Sequence, residues 1–82
     1  MNREGLLALL VAERVRLDSF SIDGSEKDES LCLQIVEGGW AVYYAERGLR
    51  SGERRFHTED EACDFMARRL LADEGNRIDG HR

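Results

Sequence analysis

The sequence predicts an α+β domain of two layers: an antiparallel meander of three or four strands with an N-terminal and a C-terminal helix, in the order α-β-β-β-β-α. Three observations carry this. Apolar side chains alternate with period two from Leu31 to Glu46 across a Gly38-Gly39 break, the pattern of a hairpin. The stretches 2–17 and 58–72 repeat their apolar residues at helical spacing instead. A chain of 82 residues has room for one core, so helices and sheet must share it.

The first helix is expected from an N-cap at Asn2 to about Leu17, with Glu4 at its positive end and Arg14 and Arg16 at its negative end. Leu6, Leu7, Leu10, Val11 and Leu17 form a broad apolar arc; Leu9 lies off it and Arg14 inside it. Either Arg14 snorkels or the helix buries a second face against a partner. Phe20-Ser21-Ile22 alternates as a short strand, and Asp23-Gly24 opens a turn. Residues 25–30 carry Glu26, Asp28, Glu29 and Lys27 with no apolar residue, which reads as a solvated loop.

Leu31 to Glu37 is the next strand, and a two-residue turn at Gly38-Gly39 sets Glu37 opposite Trp40. Ile35 then faces Val42, Leu33 faces Tyr44 and Leu31 faces Glu46. One face collects Leu33, Ile35, Trp40, Val42 and Tyr44 and is the expected core face; the other carries Cys32, Gln34, Val36, Ala41, Tyr43 and Ala45. A five-residue loop, Gly48 to Gly52, is expected next, because an odd loop brings Phe56 of the strand Glu53–His57 to the core face opposite Tyr44. Leu49 would stand at its tip. Thr58 with Glu61 reads as a capping box for a helix running to about Ala72, with Ala62, Cys63, Met66 and Leu70 along its apolar stripe and Gly75 as its C′ residue. The single domain is expected over 1–75, followed by a frayed tail at 76–82. The two helices share the apolar face, or the first crosses to the outer one.

Composition narrows the function. A formal charge of −5 argues against nucleic-acid or anionic-membrane binding, both of which need clustered cations. Gly5 to Ala12 is too short to span a bilayer and lacks a cleavage site, so a cytoplasmic chain with two reduced thiols, Cys32 and Cys63, is expected. Parity sets the two thiols on opposite sides of the sheet, which disfavours a disulfide or a shared metal. No nucleophile-base set, phosphate-cradling loop or placed acid pair is recognisable, and His57 reads as a strand-end residue. No enzyme, cofactor or metal is expected. Two surfaces stand out. Arg47, Arg50, Arg54 and Arg55 crowd one hairpin beside Tyr43, with Leu49 between them, and Arg and Tyr typically anchor protein interfaces. The outer face is also apolar for a solvated one, which leaves room for a homodimer there.

Leu31-Cys32-Leu33, the run Gly39-Trp40-Ala41-Val42-Tyr43-Tyr44-Ala45-Glu46-Arg47-Gly48, and Phe56 to Cys63 together resemble small bacterial immunity proteins found beside polymorphic and contact-dependent toxins. The likeness runs from about Leu31 to Leu71. It implies a non-enzymatic protein that binds and neutralises a cognate toxin, and it supplies no binding residues. The residues themselves put partner contacts at Tyr43, Arg47, Leu49, Arg50 and Arg55. They add Asp23, Glu26, Asp28 and Glu29 for steering a basic toxin. The alternative is a small cytosolic dimerisation or interaction module unrelated to toxins.

Overall fold

A computed structural model of the chain describes residues 1–78. Helix α1 spans Arg3–Ala12 and helix α2 spans Glu59–Ala72; between them lie β1 (Phe20–Ser21), β2 (Ser30–Val36), β3 (Gly39–Glu46) and β4 (Leu49–Phe56). The four strands form one sheet in the order β1-β2-β3-β4. β2, β3 and β4 pair antiparallel as expected, but β1 lies parallel to β2, with Phe20 opposite Leu31 and Ser21 opposite Cys32. The sheet is therefore mixed. Its first connection, residues 22–29, is a crossover rather than a hairpin.

α1 is shorter than its apolar arc suggests. The Asn2 side chain accepts from the Gly5 N–H at 2.8 Å, as an N-cap should. At the far end Arg14 takes φ +64, its N–H donates to the Val11 carbonyl at 3.0 Å, and the Val15 N–H donates to the Leu10 carbonyl at 2.9 Å. These two bonds make a Schellman motif, with Arg14 where glycine is usual. The chain leaves the helix there, so Val15 is buried while Leu17 is 61% exposed.

The hairpin registers differ from expectation while the face assignments hold. Val36 pairs with Gly39, Ile35 with Trp40, Leu33 with Val42 and Leu31 with Tyr44, so the first turn is Glu37-Gly38. Gly38 takes φ +82 in that turn. Gly39 belongs to the strand, and a Cβ on it would meet the Phe56 carbonyl oxygen at 2.1 Å. The shift is two positions in the pairing sum, which leaves every side chain on its predicted face. The second turn is Arg47-Gly48, at φ +54 and +79, the signature of a type I′ hairpin. Leu49 is thus the first residue of β4 and not a loop tip. Val42 pairs with Arg54 and Tyr44 with Ser51, so Gly52, at φ +63, and Glu53 together oppose Tyr43. This glycine bulge supplies the odd residue that the expected loop was meant to provide. Phe56 reaches the core face opposite Trp40, not Tyr44.

The main core lies between the sheet and both helices. Leu6 and Leu10 of α1, Cys63, Met66 and Leu70 of α2, and Leu33 and Val42 of the sheet are each at most 2% exposed. Both helices therefore share one face. Ile35 and Tyr44, expected in that core, are 64% and 36% exposed, since they sit at the sheet's ends beyond the helical cover. α2 is capped by Thr58, whose hydroxyl accepts from the Glu61 N–H at 3.1 Å. It ends through Asp73, which binds the Gly75 N–H at 2.9 Å, and Gly75 sits in a 3-10 turn rather than at a C′ position. The segment expected to fray is engaged as far as residue 78. Val15 bridges Arg77, and the Ile78 N–H donates to the Arg14 carbonyl at 2.6 Å. The rest of the expected tail, 79–82, lies outside the described residues.

Candidate functional site

The crossover 22–29 decides what the back of the sheet can do. Asp23 holds its own loop: its carboxylate accepts from the Ser25 N–H at 3.0 Å and from the Ser25 and Ser21 hydroxyls at 2.6 and 3.2 Å. These bonds, that from the Ser25 hydroxyl foremost, hold its pKa down at about 2. The folded loop then crosses the outer face. The Gly24 carbonyl accepts from Gln34 Nε2 at 3.3 Å, Glu26 Oε1 accepts from the Tyr43 hydroxyl at 3.2 Å, and Asp28 Oδ1 accepts from the Arg47 N–H at 2.6 Å.

Under this cover Tyr43, Cys32 and Ala45 form a second buried cluster, each at most 1% exposed. Arg50 seals its edge, with its guanidinium 4.1 Å from the Tyr43 ring centroid and its Nε 3.0 Å from Glu26 Oε1. Burial, above all, pushes the Tyr43 phenol up to about 12. The outer face is therefore not open. Tyr43, expected as an exposed contact, is an interior residue, and a homodimer through this face would require the loop to be displaced. Arg50, Asp23, Glu26 and Asp28 are likewise committed to holding the loop, whereas Arg47 lends it only a backbone N–H and keeps its side chain exposed. Of the four acids expected to steer a basic partner, Glu29 alone, exposed at φ +55, makes no such bond.

Leu49 and Arg55 remain outside this network. Leu49 is 73% exposed, and Arg55 pairs with Glu53 at 3.0 Å. The strand that carries them is exposed from Leu49 to Arg55, and Phe56 is half-buried. β4 is also an edge strand, bonded to β3 on one side only.

On its helix side lies a group the sequence reading passed over. Phe65 of α2 packs against Phe56, with ring centroids 5.2 Å apart, and the guanidiniums of Arg54 and Arg69 lie 5.2 and 5.6 Å from the Phe65 ring. Neither arginine has a carboxylate within ion-pair distance among the described residues. Parity could have revealed this: Arg54 shares the core face with Phe56, and an arginine there needs an aromatic or apolar bed.

Other candidate chemistry disperses. His57 is exposed, and the Glu59 carboxylate beside it is bonded to the Arg3 N–H at 2.8 Å and Arg3 Nε at 3.3 Å. Cys32 and Cys63 are buried in separate clusters on opposite faces of the sheet. Among the described residues no group of three or more His, Cys, Asp or Glu could hold a metal ion, and no helix is long and apolar enough to cross a membrane. No protein-family model, curated protein or solved structure matches the chain.

Proposed function

We propose that this chain is a non-enzymatic immunity protein that binds and neutralises a cognate bacterial toxin. The resemblance of the block from Leu31 to Leu71 suggests the class, and one structural observation carries the binding. β2 and β3 are covered by helices on one face and by the crossover on the other, whereas β4 is exposed along nearly its whole length. Three arginines and a protruding Leu49 on such a strand are contact chemistry. Co-expression with the toxin genes of its own neighbourhood tests the reading. The expected result is rescue of growth against one toxin, which then co-purifies with the chain. Failure against every candidate, with no toxin recovered, overturns it.

A second reading, a homodimer module, is favoured by Leu7 and Val11, one turn apart on α1 and 41% and 56% exposed. A dimer in light scattering that Val11→Asp dissociates would select it.

A further inference from the structure

We infer that β4 takes up an extended, acidic segment of a protein partner by strand addition. The inference rests on the protein-binding reading above and names the surface and the chemistry it selects. An added strand satisfies backbone donors and acceptors along an open edge and sends alternate side chains to opposite faces. Both requirements have counterparts here. β4 pairs with β3 on one side, and no backbone bond joins it to any segment on the other side among the described residues.

The two faces flanking that edge differ in charge balance. On the outer face Arg50 and Arg55 already have carboxylates, Glu26 and Glu53, both at 3.0 Å. On the helix face Arg54 and Arg69 flank Phe65 with no carboxylate within ion-pair distance among the described residues. Every second side chain of an incoming strand would lie beside these two cations, so acids are selected at alternate positions and uncharged residues between them. Edge arginines and a bulge are also how sheets discourage indiscriminate pairing. The same features that reject apolar strands therefore admit an acidic one. A second copy fits poorly, because it would lay three arginines and one glutamate against the same set. Nucleic acid fits poorly against a chain of net charge −5.

The probe is an end-blocked synthetic peptide of alternating glutamate and valine, followed by fluorescence anisotropy and amide exchange. Saturable binding with slowed exchange confined to β4 is expected. N-methylation of every second peptide nitrogen, which keeps the charge and removes the backbone donors, should weaken binding by at least about tenfold. Arg54→Glu with Arg69→Glu should do the same in a chain that still melts cooperatively, at a temperature lowered by the loss of the two contacts with Phe65. Equal binding of the methylated peptide, no binding, tighter binding of a single-stranded oligonucleotide, or protection that appears only with self-association overturns the inference. A toxin that binds the double variant as tightly as the native chain overturns the edge while leaving the immunity reading intact. Peptide binding at β4 with no toxin rescued does the reverse.

Discussion

Gly38 and Gly39 are neighbours with different tasks, and substitution separates them. Gly38 has φ +82 with open space around it, so Gly38→Ala should cost about 1–2 kcal/mol, the left-handed backbone penalty alone. Gly39→Ala adds a Cβ that collides with the Phe56 backbone, which a side-chain rotation cannot relieve; a loss of about 3 kcal/mol or more is expected in urea unfolding. Tyr43 makes a pH-dependent case. Tyr43→Phe removes a buried hydroxyl bonded to Glu26 and should cost about 1–2 kcal/mol at neutral pH. The folded phenol titrates at about 12 against an ordinary value of 10.0, so the fold favours its neutral form. That contribution is complete below pH 10 and is lost as pH rises towards 12. The stability gap between the native chain and Tyr43→Phe should therefore narrow across this interval in pH-dependent denaturation curves.

β4 shows what parity can and cannot deliver. The need for one odd residue between Tyr44 and Phe56 follows from the alternation alone, but alternation does not say where that residue sits. The structure puts it at Gly52, inside the strand. Deleting Gly52 should leave Glu53 alone opposite Tyr43 in a regular ladder, with Ser51 and Arg54 keeping the faces they hold now, so a cooperative thermal transition should survive the deletion. Other elements were illegible for definable reasons. The end of α1 is a Schellman motif built on Arg14, and without a glycine or asparagine nothing marks it in the sequence. The acidic crossover looked solvated because its partners are remote: Tyr43, Arg47 and Arg50 lie 17, 19 and 24 positions from the acids they meet. Local composition cannot report such bonds. The capping of α1 by Asn2 and of α2 by Thr58, and the buried stripe of α2, are short-range features and were readable.

At the scale of the whole molecule the two helices run side by side in the same direction. Glu59 at the start of α2 bonds Arg3 at the start of α1, and the chain beyond α2 bridges the chain beyond α1. Parallel helix dipoles repel, and the Glu59 carboxylate sits where it offsets both positive ends. The sheet thus has a helical layer on one side and a polar loop on the other, each sheltering one thiol: Cys63 under the helices, Cys32 under the crossover. In a thiol-labelling time course Cys63 should react only through global unfolding, whereas Cys32 should react through opening of residues 22–29, faster still in Glu26→Ala. The two routes differ in kind. Lifting the crossover uncovers one tyrosine ring, a thiol and a methyl group, so its opening free energy should scarcely change with urea. Global unfolding exposes the whole apolar interior and must carry a steep urea dependence and a large heat-capacity increment. Cold and heat should therefore bear hardest on the helical layer, while the back layer, bound mainly by hydrogen bonds, opens with little regard to either.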